Sequence, residues 1–109
     1  MIATKNQAIE ITSQLHIELE KIYGQRLKGV YLFGSAARDQ LTANSDLDIA
    51  VVLDEIKSRY QEYERTSDIS VKMSLAYDVL ISFFFVSEDD FHNGRFAVHR
   101  AIKSEGIQS

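Results

Sequence analysis

Val30-Tyr31-Leu32-Phe33-Gly34-Ser35-Ala36-Ala37-Arg38 and, after a polar stretch, Ser45-Asp46-Leu47-Asp48-Ile49-Ala50-Val51-Val52-Leu53 decide how this chain is read. The first is an apolar run that stops at a glycine–serine pair. The second opens with two aspartates two residues apart and continues as a nearly unbroken apolar, β-branched run. Residues 28–33 and 47–53 are therefore predicted strands, the second buried on both faces. Side chains alternate along a strand, so Asp46 and Asp48 point one way while Leu47 points into the core. Between the strands, Ser35 to Leu41 suits a short helical turn.

Upstream, Ala8, Ile11, Leu15, Leu19 and Ile22 recur at helical spacing and predict an amphipathic helix over 5–23. Thr4 or Asn6 would cap it, and Gly24 would end it. Downstream, Asp54 reads as a helix cap. A charged helix follows from Glu55 to about Leu75, with Ile56, Tyr60, Tyr63, Ile69, Met73 and Ala76 as inward positions and Thr66-Ser67-Asp68 as a break. Tyr77 to Val86, the most apolar segment, predicts the third strand. Ser87 with Asp90 resembles a capping box that starts a short helix. Asn93-Gly94 is a turn, and Phe96 to Ser104 is a last helix ended by Gly106. The link between the second and third strands is long enough for a crossover helix, which makes that pair parallel. The expectation is an α/β (α+β) fold, a small mixed sheet with helices packed on it, over residues 1–109 as a single domain.

Composition narrows the classes. With 45% hydrophobic and 26% charged residues, the chain has an ordinary globular balance. A net charge of −4 lacks the basic footprint of a nucleic-acid binder, so no direct nucleic-acid contact is expected. No apolar run approaches the roughly 18 residues of a membrane span. The N-terminus turns polar within six residues, which does not suit a secretory signal. Cysteine is absent, so disulfides and thiolate metal sites are excluded. A cytoplasmic setting is expected.

Two adjacent carboxylates repel unless a cation sits between them or one is protonated. Magnesium, or manganese in its place, prefers such oxygen ligands together with phosphates. A two-ion site clamps both the entering and the leaving oxygen of an in-line displacement. A third carboxylate from a neighbouring strand would complete it, and Asp78, placed at the opening of the predicted third strand, is the candidate. Gly34 lets backbone approach a phosphate closely. N–H groups at a helical turn starting at Ser35 would face the anion. Arg38, one turn on, would reach the same phosphates or balance the acids.

Taken singly, each feature has a plainer reading. A glycine–serine pair is ordinarily a turn, Ser-Asp-x-Asp is often an Asx-turn, Asp78 would suit a strand end, and Arg38 would suit a surface ion pair. Their order on consecutive strands is what makes the pattern informative. His16, His92 and His99 share no metal-ligand spacing. Phe83, Phe84 and Phe85 read as sheet packing, with one facing away from the other two. Tyr60 and Tyr63 read as half-buried, and the charges from Lys57 to Arg65 as a solvated helix face.

Gly34-Ser35-x-Ala37-Arg38 followed by Ser45-Asp46-x-Asp48 before an apolar strand resembles the DNA polymerase β-like nucleotidyltransferase superfamily. The nearest resemblance is to its minimal nucleotidyltransferase branch, small proteins often encoded beside a HEPN-domain protein. The resemblance implies that Gly34 and Ser35 bind the β- and γ-phosphates of ATP and that Arg38 and Ser45 support the triphosphate. It further implies that Asp46 and Asp48 hold two Mg2+ ions and that Asp78 completes the catalytic metal site. The implied reaction moves AMP from ATP onto a hydroxyl and releases pyrophosphate. The implied acceptor is a tyrosine of a HEPN toxin, which makes this chain the antitoxin of a toxin–antitoxin pair. One departure is Asp39, where the branch commonly has glycine after the arginine. The chain is also minimal, so a partner protein is expected to wall the site; a homo-oligomer is compatible with the sequence. Two other readings stand beside this one: a non-catalytic module that neutralises its partner by contact, and a transferase for a small hydroxylated molecule.

Overall fold

The computed structural model describes residues 4–38, 40 and 46–109. A helix, Lys5–Tyr23 (α1), opens the fold. Thr4 caps it reciprocally with Gln7: the Gln7 N–H donates to the Thr4 hydroxyl at 3.1 Å and the Thr4 N–H to the Gln7 side chain at 3.3 Å. Ala8, Ile11, Leu15 and Leu19 are buried as their spacing predicts, but Ile22 is exposed and Tyr23 takes its place inside. A single 3-10 turn, Gly24–Arg26, leads into the strand Leu27–Phe33 (β1). The next strand, Leu47–Leu53 (β2), pairs antiparallel with β1 and is buried along almost its whole length.

The second long helix, Arg59–Tyr77 (α2), starts later than the sequence suggests. Ser58 caps it through the Gln61 N–H, whereas Asp54 accepts from the Glu55 N–H at 2.7 Å and from Arg26 at 3.1 Å. The helix does not break at Thr66-Ser67-Asp68. The Thr66 hydroxyl turns back on the Glu62 carbonyl at 3.0 Å and is buried there, so its polarity is satisfied within the helix. Nor is the Lys57–Arg65 stretch wholly solvated. Glu62 is 2% exposed and accepts from the Tyr23 hydroxyl, Arg26 and Arg65 at 3.0, 3.0 and 3.1 Å. Burial, then the Glu62 carboxylate, push the Tyr23 hydroxyl far above its ordinary range. Tyr60 and Ala76 point outward rather than in.

The third strand is Ile81–Ser87 (β3), four residues later than Tyr77. Helical geometry persists through Tyr77, and Asp78 then ends α2 in the left-handed conformation, φ 51° and ψ 51°. Aspartate tolerates that conformation better than most side chains. The Val79 N–H returns to the Ser74 carbonyl at 3.1 Å, which closes the helix end. A six-residue helix, Glu88–Asn93 (α3), follows behind the Ser87 cap, and Ala97–Glu105 (α4) leads to a two-residue strand, Ile107–Gln108 (β4). Phe96 cannot cap α4 with its side chain. Instead the His99 ring accepts the Phe96 N–H at 3.3 Å.

The sheet order is β3-β2-β1-β4, antiparallel except for the parallel β2–β3 pair that α2 connects. On one face, α1 and α2 pack over Val30, Leu32, Leu47, Ile49, Val51, Leu53, Phe83 and Phe85. On the other, Phe91 of α3 and Ile102 of α4 cover Ala50, Val52 and Val86, with Tyr31, Phe33 and Phe84 alongside. Phe84 is thus the phenylalanine that faces away from its neighbours. β3 is a sheet edge, and α2 caps the polar groups it would otherwise present. Tyr63 donates to the Phe83 carbonyl at 3.0 Å, Ser70 to the Ile81 carbonyl at 3.4 Å, and Ser74 accepts the Ile81 N–H at 3.2 Å. This explains a tyrosine on a charged helix that is only partly exposed. No helix among the described residues is long and apolar enough to cross a membrane.

Candidate functional site

The end of β1 and the start of β2 are neighbours because the two strands are antiparallel, with Phe33 paired to Asp48. Gly34 follows Phe33 with φ 73°, a left-handed conformation that bends the chain off the sheet. The Arg38 N–H returns to the Gly34 carbonyl at 3.3 Å and the Gln40 N–H to the Ser35 carbonyl at 2.8 Å, so a hydrogen-bonded turn, rather than the expected helical one, stands on the strand end. Ala36 and Ala37 are buried and anchor it. Leu41, the expected limit of that turn, lies outside the described residues.

Asp48 is half-buried and lies against this turn. A side-chain carbon added at Gly34 would fall on the Asp48 carboxylate oxygen Oδ2, so the glycine and the aspartate share one space. Asp46, one alternation earlier, is exposed at the mouth of β2. Burial raises the Asp48 carboxyl above its ordinary value, the Asp46 charge raises it further, and Arg38 pulls it back. The pair therefore carries negative charge that Arg38 offsets only in part, at the foot of a glycine turn, which is the electrostatic setting that favours a cation. Arg38 reaches Glu105 of α4 at 3.4 Å and Gln40 at 3.3 Å, and both members of the ion pair are about half exposed. Such a pair is weakly held and exchanges readily for a stronger anion.

The register corrects the expected third carboxylate. Because β3 begins at Ile81, Asp78 does not lie on it; the residue opposite Asp48 is Ser82, and Leu80 lies beside the start of β2, its carbonyl accepting the Leu47 N–H at 2.9 Å. Asp78 is exposed at the end of α2. Among the described residues, no group of three acidic or histidine side chains comes together to hold a metal, so Asp46, Asp48 and Asp78 do not form the expected trio. The chemistry of the donor set fits one divalent cation shared between Asp46, Asp48 and a phosphate. Ser45, expected to support the triphosphate, and Asp39, the departure beside Arg38, lie outside the described residues. Sequence reasoning missed Ser82, and its signal was available only through the register. A cleft of about 420 Å³ between α2 and the β3 edge includes Ser82 in its lining, together with Tyr63, Ser70 and Phe83, but neither the carboxylates nor the Gly34 turn.

Residues 13–93 match the model of the "Polymerase beta, Nucleotidyltransferase" family. Two proteins of Methanocaldococcus jannaschii are similar over most of the chain. "Putative protein adenylyltransferase MJ0604" is 34% identical over 81% of this chain and 83% of its own length. "Putative protein adenylyltransferase MJ0141" is 33% identical over 70% of this chain and 76% of its own. A nucleotidyltransferase of Sulfolobus solfataricus superposes with a TM-score of 0.67 at 18% identity, over 95% of this chain and 80% of that one. A toxin–antitoxin structure described with AMP-PNP superposes with a TM-score of 0.62 at 22% identity, over 87% of this chain and 69% of that one. At these identities the two structures show a shared fold.

Proposed function

The chain belongs to the polymerase β nucleotidyltransferase family, and from that premise we propose that it transfers AMP from ATP to a tyrosine hydroxyl of a HEPN-domain toxin, silencing it as its antitoxin. The observation that carries this reading is the Asp48 carboxylate lying against the left-handed Gly34 turn, with Asp46 beside it. The turn offers backbone to the triphosphate, and the Ser35 hydroxyl and the Arg38 guanidinium lie within the same turn to add donors. Asp46 and Asp48 would hold Mg2+ with the nucleotide. When bound, that ion supplies neutralising charge and polarises the α-phosphate.

The acceptor hydroxyl attacks the α-phosphorus, its proton passes to water, and pyrophosphate departs from the opposite side. In this scheme the Gly34–Arg38 turn orients the leaving pyrophosphate. Exchange of Arg38 from Glu105 to the triphosphate places positive charge where negative charge develops. The adenylyltransferase names of the relatives and the AMP-PNP of a structural neighbour support AMP as the transferred group. The toxin–antitoxin description of that neighbour supports the partner.

A second reading, neutralisation by contact, is favoured by the apolar residues that α2 and its exit leave in solvent. Leu75 is 78% exposed, Val71 58% and Leu80 60%. One experiment separates the two. The protein is incubated with Mg2+, labelled ATP and the HEPN partner encoded beside it, in parallel with an Asp46→Ala, Asp48→Ala double variant. The expected result is label on the partner with the wild type alone. A double variant that neutralises the partner as well as wild type would displace catalysis in favour of contact.

A further inference from the structure

In a parallel pair, residues in register share a face. Ser82 is in register with Asp48, Phe84 with Ala50 and Val86 with Val52. On the Asp48 face, β3 therefore presents a hydroxyl, an aromatic ring and an aliphatic group, and no acid. Phe84 is held there by Phe33 at a ring-centroid distance of 6.3 Å and by His99 at 6.1 Å, so this row is packed in place. β1, on the other side of β2, presents Phe33 beside Asp48 and Tyr31 beside Ala50. The two strands that flank β2 thus contribute no carboxylate to the Asp46–Asp48 face. Asp78, the acid nearest in sequence to β3 on its N-terminal side, is held at the end of α2.

This matters because of charge. Two carboxylates, phosphate oxygens and water complete the octahedral oxygen shell of one divalent cation. A second cation, placed against the acceptor hydroxyl in an in-line displacement, would repel the first at a separation of roughly 4 Å. A further carboxylate on that side would give the second cation a ligand of its own and ease the repulsion. A serine hydroxyl is neutral and a weak magnesium ligand, and the aromatic neighbour behind it adds none.

We propose that this site holds a single divalent cation with its nucleotide, and that Ser82 occupies the position from which a third carboxylate would recruit a second. The proposal rests on the nucleotide-transfer reading above and sharpens it: the acceptor hydroxyl meets no second ion on this chain. Lowering of the acceptor's pKa is then left to groups the partner brings.

The test counts ions rather than turnover. Mn2+ is titrated into the full-length chain held in excess over AMP-PNP, and bound manganese per bound nucleotide is read by electron paramagnetic resonance. Wild type and Ser82→Ala are expected to bind one ion per nucleotide. Ser82→Asp is expected to bind two, with the dipolar broadening that two neighbouring Mn2+ ions produce. Ser82→Glu serves as the second variant should Ser82→Asp fold poorly. Two ions in the wild type would overturn the proposal and leave nucleotide transfer standing; an Asp39→Asn variant that returned the count to one would then name the carboxylate responsible. Retention of one ion in both acidic variants, folded and nucleotide-bound, would also overturn it. Absence of any Mn2+-dependent nucleotide binding in the wild type would overturn the transfer reading itself, and the proposal with it.

Discussion

Replacing Gly34 by alanine tests the site and the fold together. Gly34 has φ 73°, and an added Cβ would fall on Oδ2 of Asp48, with the Asp48 Cγ 3.2 Å away. The left-handed backbone costs an alanine about 1–2 kcal/mol. The Asp48 side chain is short and sits on a strand, so it relieves the clash only by leaving its rotamer, at about 0.5–1.5 kcal/mol. Loss of glycine's freedom in the unfolded chain offsets about 0.4–1 kcal/mol. The net expectation is a destabilisation of about 2 kcal/mol, or roughly 10 °C in Tm for a domain of this size.

Nucleotide affinity should fall at least about tenfold, because displacing Asp48 and thickening the turn disturb both halves of the site. Gly24→Ala is the control. Gly24 also has positive φ, 54°, but an added Cβ there meets nothing within 4 Å. It should lower Tm through backbone strain alone and leave nucleotide affinity unchanged. The assays are urea denaturation and calorimetric titration with AMP-PNP. Equal Tm losses for the two variants with undiminished nucleotide binding by Gly34→Ala would refute the claim that Gly34 and Asp48 share one space.

Three further outcomes are expected. Asp48→Asn should raise Tm in the absence of nucleotide and cation while abolishing nucleotide binding. The folded carboxyl is pushed above its unfolded value by burial and Asp46, so its ionisation opposes folding as pH rises through that raised value; a thermal shift profile from pH 4 to 8 reads the sign. His99 is buried and takes a proton less readily than its ordinary value of 6.5. The unfolded chain therefore gains that proton first, so stability should fall as pH drops below about 6.5, and His99→Gln should flatten that slope in urea midpoints. Glu62→Ala should cost about 2–3 kcal/mol by urea denaturation, because it strands the Tyr23 hydroxyl and removes the shared anion of Arg26 and Arg65, both of which keep some solvent contact. A loss under 1 kcal/mol would show that the cluster is solvated in effect.

Local pattern carried far here, and its failures share a cause. The helical spacing of Ala8 to Leu19, the β-branched run of Leu47 to Leu53 and the Gly34 turn each depend on neighbours a few residues away, so the sequence predicts them well. The start of α2 is not fixed locally because Asp54 and Ser58 are both plausible caps, and the choice falls to Ser58 once Arg26 of a distant segment engages Asp54. The long apolar stretch beginning at Tyr77 looked like strand from its first residue. Its opening residues instead finish a helix whose end is fixed by Asp78 and Val79 turning back on Ser74. β4 carries only two residues and no periodicity, and it exists because Leu32 and Tyr31 of β1 offer a free edge.

The sequence by itself determined the four helices and three long strands in their order, the parallel crossover, the glycine turn and the two-residue spacing of Asp46 and Asp48, because all of these follow from periods of two and 3.6 and from one residue's backbone freedom. The family resemblance rested on those same residues, and the family match agrees with it. What only the tertiary structure decided was which residues of another strand and helix meet that pair. Register between β2 and β3 is set by where α2 stops and how the apolar rows of both strands fill the two cores, a global packing condition that no local window contains. It puts Ser82 opposite Asp48 and leaves Asp78 at a helix end.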